Sequence, residues 1–224
     1  MITREEKNLN GLCEAMKDVL NYSPSDLKDY FHKSVELRHY GPNDLLFDQG
    51  DDPCGIFSIY QGSVKLSRYS GKKNKQIVLL ASKNEMMGIS AIFNKHPLLY
   101  TAHAMEPTQV CYLPIDQANH LAQTNPLVLV PLMNKVNEAI EELERHTALV
   151  MSCDANTVVI KTLQNLQQKF GSDSHGFINI NLPARDLANY VCMSKTNLYR
   201  ALNYLKEKMI ITYETNRYKI FHFE

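Results

Sequence analysis

Between residues 35 and 114 the apolar positions come in short runs, 56–60, 64–69, 76–80 and 110–113. Turn-forming stretches cut them: Gly41-Pro42-Asn43-Asp44, Gln49-Gly50-Asp51-Asp52-Pro53, Gln61-Gly62 and Ser70-Gly71. Val64, Leu66 and Arg68 alternate with Lys65, Ser67 and Tyr69, the two-residue period of a strand with a break at the arginine. Several short strands spaced this way predict an antiparallel sandwich or barrel-like roll. Ahead of them Leu9, Leu12, Met16, Val19 and Leu20 follow helical steps. Ser23-Pro24-Ser25-Asp26 then opens a short helix through Leu27, Tyr30 and Phe31.

The texture changes after residue 125. Leu129, Met133, Val136, Ile140, Leu143, Thr147 and Val150 recur at alternating steps of four and three, a heptad seam held for three heptads. Lys135, Glu138, Glu141, Glu142, Glu144 and Arg145 lie off it. A helix packed on its own domain can carry such a stripe. The strict period and the polar opposite face favour a two-stranded coiled coil, and hence a homodimer with these seven residues at its interface. Pro131 marks a first turn or a kink. Asp154-Ala155-Asn156-Thr157 breaks the helix, which puts a hinge and domain boundary at about residue 153.

Residues 158–170 form a further amphipathic helix ended by Gly171, and residues 177–182 alternate like a strand. Residues 182–211 then read as helix, tight turn and helix. Leu187, Ala188 and Val191 share one face of the first, and Leu198, Ala201, Leu202 and Leu205 one face of the second. Ser194 is placed to cap the second helix. Its exposed face begins Lys195-Thr196-Asn197 and continues with Tyr199 and Arg200, groups able to hydrogen-bond base edges. Residues 211–214 and 218–223 flank Thr215-Asn216-Arg217 as a hairpin that forms a wing. Arg217 at its tip is in reach of a phosphate, although a merely solvated arginine is an equal reading.

Composition adds little until the chain is divided. It has 24 basic and 24 acidic residues, but from Asp154 onward nine basic stand against six acidic, a net +3 that leaves −3 for the rest. That sign suits a DNA-binding module on a body that does not bind DNA. The N-terminus lacks an apolar signal segment and no run is long enough to span a bilayer, so a cytoplasmic protein is expected, with no membrane partner. Five cysteines at 13, 54, 111, 153 and 192 never form C-x-x-C, which fits neither a disulfide framework nor a local metal site. No paired carboxylates, nucleophile–base set or phosphate loop points to an enzyme, and no catalytic residue is assigned.

The order of parts resembles the CRP/FNR family of bacterial transcription regulators. Its most specific pieces are Gln61-Gly62-Ser63-Val64-Lys65-Leu66, Ile160-Lys161-Thr162-Leu163-Gln164-Asn165-Leu166 and Ser194-Lys195-Thr196-Asn197-Leu198-Tyr199-Arg200. The resemblance implies an α+β chain with an N-terminal antiparallel β-roll of the cyclic-nucleotide-binding type (1–125), a dimerisation helix (126–153) and a C-terminal winged helix-turn-helix (154–224). It implies a homodimeric regulator, an activator in the family's usual mode, that binds a pseudo-palindromic duplex and has RNA polymerase as a further partner. Arg200 matches the family's guanine-reading arginine, whereas Thr196 stands where a glutamate is usual, so the commonest half-site is not expected. Ser194, Lys195, Asn197, Tyr199 and Arg217 complete the DNA-binding set.

The effector pocket implied by the resemblance comprises Gly88, Ile89, Ser90, Tyr100, Thr101 and Leu143. Ile89 replaces the glutamate that holds ribose in the family's cyclic-nucleotide binders. Tyr100 and Thr101 replace the arginine–serine pair on the phosphate. Cyclic AMP by that mode is not expected, nor is any cofactor, and an unknown small-molecule effector or none is left. Constitutive binding, haem ligation through His96, His103 or His146, and thiol sensing by Cys54, Cys111 or Cys192 are the alternatives. An iron–sulfur cluster is unsupported, because only Cys13 stands where the family's oxygen sensors gather theirs.

Overall fold

The computed structural model describes residues 34–70, 74–93 and 96–221; the helices expected before residue 34, with Cys13, lie outside these. The alternating segments become β1 (Glu36–Tyr40), β2 (Leu45–Phe47), β3 (Gly55–Gln61), β4 (Val64–Ser70), β5 (Asn74–Ala81), β6 (Met86–Met87), β7 (Thr101–Ala104) and β8 (Thr108–Pro114). They build two four-stranded sheets, ordered β1-β8-β3-β6 and β2-β7-β4-β5. Pairing is antiparallel, with Ile56 opposite Leu113 and Leu66 opposite Ala102. Ile56, Phe57, Ile59, Val64, Leu66, Ala102 and Val110 are buried, and Phe57 packs at a tilt against Phe47 and Tyr112, with ring centroids 5.2 and 4.9 Å away. The β3–β4 turn needs its glycine. Gly62 has φ 91°, and a Cβ there would stand 2.8 Å from the Pro107 carbonyl oxygen.

Five helices follow: α1 (Ile115–Thr124), α2 (Leu129–Ser152), α3 (Ala155–Phe170), α4 (Ala184–Tyr190) and α5 (Lys195–Glu207), and then β9 (Ile211–Glu214) and β10 (Arg217–Ile220). Pro131 sits in the first turn of α2, where a missing N–H costs nothing. The seam on α2 divides. Leu129 and Val136 pack against a roll cluster that includes Ile56, Ile89, Leu121, Val128 and Leu132, whereas Met133, Ile140 and Thr147 are exposed. Leu143 and Val150 are half-buried. For two seam residues, therefore, the helix packs on its own domain.

The chain forms two compact units, one of residues up to Arg68 with Leu80–Glu141, the other of Tyr69–Leu79 with Glu142–Glu224. The division falls inside α2, earlier than the boundary expected at residue 153. In the second unit Val158, Val159, Leu163 and Leu166 of α3 share a core with Leu187 and Ala188 of α4 and with Leu198, Ala201, Leu202 and Leu205 of α5.

Two local expectations are corrected. The long helix does break, after Ser152, but the next helix starts before residue 158 because the same stretch caps it. The Asp154 carboxylate accepts the Asn156 and Thr157 N–H groups at 3.0 and 3.2 Å and the Thr157 hydroxyl at 2.6 Å, so α3 already begins at Ala155. The Thr157 hydroxyl, followed by these amides, holds that carboxyl below its ordinary value. Residues 177–182 form isolated bridges, such as Phe177 with Lys219, rather than a continuous strand. The Ile180 N–H turns back to the Ile178 carbonyl at 2.8 Å, which interrupts any ladder.

Candidate functional site

Helix α4, the connector and α5 form the helix-turn-helix. Cys192 takes a left-handed conformation with φ 53°, a place where such turns often carry glycine. The Met193 N–H closes the turn on the Ala188 carbonyl at 3.0 Å. Ser194 has extended backbone, and its Oγ accepts the Asn197 N–H at 3.2 Å, so the cap expected from the sequence starts α5.

Helix α5 separates two kinds of residue. Its buried stripe is Leu198, Ala201, Leu202 and Leu205; Lys195, Thr196, Asn197, Tyr199 and Arg200 are all exposed. At 3.6 residues per turn, Thr196, Arg200 and Asn203 lie farthest from the buried stripe. Neither Lys195 nor Arg200 forms an ion pair among the described residues. Their donors are uncommitted.

Arg217 stands at the tip of the wing, opposite Glu214 across the two-residue turn Thr215-Asn216, but it is already engaged. It opens β10, forms an ion pair with Asp173, and its guanidinium carbon lies 4.6 Å over the Phe177 ring. Asp173 also accepts the His175 and Phe177 N–H groups at 2.8 and 3.0 Å. Desolvation raises its pKa, but those amides and then Arg217 outweigh it and hold the carboxyl below its usual range. A phosphate would have to compete with this carboxylate for the guanidinium.

Sequence reading also missed the anchors of the last turns of α2. The His146 ring stacks on Tyr190 with centroids 4.0 Å apart and planes 8° off parallel, and its Nε2 lies 2.9 Å from the Tyr190 carbonyl oxygen. One turn earlier, Glu142 accepts Lys169 of α3 through both oxygens, at 2.7 and 2.8 Å. No spacing rule links residues so distant in sequence; the signal was only that each sits on a half-buried helix face. Burial lowers the His146 pKa, against the opposing effects of the Tyr190 carbonyl and Glu142. The unfolded chain thus binds a proton near pH ~6.5 that the folded chain refuses until lower pH. Stability should therefore rise with pH through the window just below ~6.5 and fall on acidification. His146→Gln should flatten that slope in urea titrations between about pH 5 and 7; parallel slopes for the two proteins would contradict the assignment.

The residues expected to form an effector pocket have these surroundings. Gly88 has φ 80°, and a Cβ on it would meet the Gly55 carbonyl oxygen at 2.4 Å, a close approach only glycine allows. Ile89 is buried in the roll cluster with Leu121, Val128 and Leu132, while Ser90 is exposed and Tyr100 half-buried. Thr101 is buried and committed: its hydroxyl donates to Asp48 Oδ1 at 2.5 Å and accepts the Gln49 N–H at 3.2 Å. Leu143 belongs to the other compact unit. Of the histidines considered as haem ligands, His96 is exposed, His103 lies on β7, and His146 packs on Tyr190. Among the described residues no cluster of three or more metal-ligating side chains occurs. Burial pushes the Cys54 and Cys192 thiols up, away from reactivity.

A β-roll followed by a long helix and a winged helix-turn-helix defines a class, and comparison with known proteins agrees with it. Residues 37–125 match the cyclic nucleotide-binding domain. Beyond that domain the chain is similar to transcription regulators of the CRP/FNR type. It is 23% identical over 216 residues to the transcriptional activator protein FnrA of Stutzerimonas stutzeri, covering 95% of this chain and 86% of that protein. It is 22% identical over 170 residues to the regulatory protein HlyX of Actinobacillus pleuropneumoniae, covering 75% of this chain and 70% of that one. The c-di-GMP responsive global regulator CLP of Xanthomonas campestris has the same fold, with a TM-score of 0.76 at 14% identity over 88% of this chain and 98% of its own. These relatives are regulators rather than enzymes. Among the described residues no helix is long and apolar enough to cross a membrane.

Proposed function

We propose that the protein binds duplex DNA as a homodimer on a two-fold site, with the outer stripe of α5 in the major groove. The capped N-terminus of α5 and the uncommitted donors of Lys195 and Arg200 carry this reading. Exposed Met133 and Ile140, a heptad apart on α2, support a second copy as the partner of that helix. Recognition helices of such a dimer are spaced about 34 Å apart, one turn of duplex.

The roll takes no cyclic nucleotide through ribose and phosphate contacts. Ile89 is spent on the core, the Thr101 hydroxyl is held by Asp48, and neither position offers a charge. Control by an effector that makes other contacts, or output set by abundance alone, is what remains. Contact with RNA polymerase is part of the same reading.

The test is a fluorescence-anisotropy titration with duplexes selected from a random pool, repeated at several salt concentrations. A palindrome bound more tightly than its isolated half, with log affinity falling steeply against log salt, is the expected result. Cyclic AMP should leave the curve where it was. Salt-insensitive or absent binding would overturn the proposal, and a shift with cyclic AMP would overturn its account of the roll.

A further inference from the structure

Asn203 stands one turn beyond Arg200 on the outer stripe of α5, and it is not a free surface amide. The Tyr213 hydroxyl, reaching over from β9, donates to Asn203 Oδ1 at 2.8 Å. Tyr213 is positioned in turn: its ring stacks on buried Tyr218 at 6.4 Å, and the Lys206 ammonium lies 5.1 Å above it. A carboxamide can ordinarily flip, offering oxygen or nitrogen with little preference. Here the Tyr213 hydroxyl holds the amide with its oxygen toward the wing, leaving the Nδ2 hydrogens and the second lone pair of the oxygen for other partners. The same stripe ends at Glu207, whose charge disfavours phosphate and limits the groove-facing portion to the residues before it.

We propose that Asn203 is a second base-reading residue, positioned by the Tyr213 hydroxyl to hydrogen-bond a base edge in the major groove. This rests on the DNA-binding reading above. In the usual pairing of asparagine with adenine, the oxygen accepts from N6 while the nitrogen donates to N7. Oδ1 keeps a second lone pair beside the Tyr213 hydroxyl, so this bidentate pairing stays open and adenine is the base selected. Cytosine, which offers a single donor in that groove, gives one contact at most and is disfavoured. Three residues of helix separate Asn203 from Arg200, about 4.5 Å along the axis at 1.5 Å per residue, so the two side chains serve different base pairs. Because the wing holds the amide before DNA arrives, little side-chain freedom is lost on binding.

Half-site selection on the full-length protein tests this, using wild type, Arg200→Ala, Asn203→Ala and Tyr213→Phe, each checked for native circular dichroism. Wild type should show two informative base pairs per half-site that depend on α5. Arg200→Ala should relax one of them. Asn203→Ala and Tyr213→Phe should both relax the other, each by about tenfold in discrimination against cytosine, and leave the Arg200 position intact. Loss of one hydroxyl by Tyr213→Phe leaves bulk and ring contacts in place, so a shared effect at one base pair identifies orientation rather than folding. If Asn203→Ala weakens all sequences equally, the residue touches phosphate and the inference fails. It fails also if Tyr213→Phe keeps full selectivity. If wild type binds no duplex, the DNA-binding reading falls and takes this one with it. If Arg200→Ala relaxes its base pair while both other variants behave as wild type, only this inference is lost.

Discussion

Arg200→Ala should weaken binding to the full palindrome by about 2–6 kcal/mol, the loss of a contact of about 1–3 kcal/mol in each half-site. The guanidinium is exposed and forms no ion pair among the described residues, so nothing in the fold depends on it. Thermal stability should stay within about 0.5 kcal/mol of wild type, the range of ordinary surface substitutions. The loss should be selective: one base pair per half-site becomes tolerant, while the salt slope drops by no more than about one per removed phosphate-like contact. Gel-shift titration on matched and mismatched duplexes reads both quantities. Retained affinity and retained selectivity would remove Arg200 from the groove.

Ile140→Glu should convert the protein from dimer to monomer at micromolar concentration and reduce palindrome binding to half-site level. Ile140 is 46% exposed in the single chain, so the fold of one protomer tolerates the change. In a two-fold seam the same position is met twice, and two carboxylates would be desolvated beside each other and beside Met133. Burying an unpaired charge costs several kcal/mol, comparable with the stabilisation such a seam supplies. Ile140→Leu is the control, since it keeps the apolar contact and should stay dimeric. Sedimentation velocity distinguishes the cases. A dimeric Ile140→Glu protein would show that the stripe on α2 serves another purpose.

Much of this architecture is legible in the sequence because periodicity reports directly which face of an element is apolar. The runs at 56–60 and 64–69 become β3 and β4, and the heptad stretch becomes one helix from Leu129 to Ser152. What periodicity does not report is the partner that covers the face. Leu129 and Val136 satisfy the heptad as well as Met133 and Ile140 do, yet they pack on the roll. The start of α3 was misplaced for a related reason: the polar residues that interrupt one helix are those that cap the next.

The site was legible along α5 and obscure around it. Ser194 and the exposed run from Lys195 to Arg200 follow from local spacing alone. The partners of Arg217, His146 and Asn203 lie on other elements, at sequence separations of 44, 44 and 10, where no local rule reaches. The hold of Asp173 on Arg217 was not readable, because Asp173 lies in a loop with no pattern of its own. In the roll, the substitutions at Ile89 and Thr101 were visible, but their new employment in the core and with Asp48 was not.

The clean division of α5 bears on how such a regulator changes over evolutionary time. Leu198, Ala201, Leu202 and Leu205 secure the helix, whereas Thr196, Asn197 and Arg200 on the other side are exposed. Mutations at Thr196 or Asn197 can therefore retarget the protein without lowering its stability, so new operators are reachable by single steps through folded intermediates.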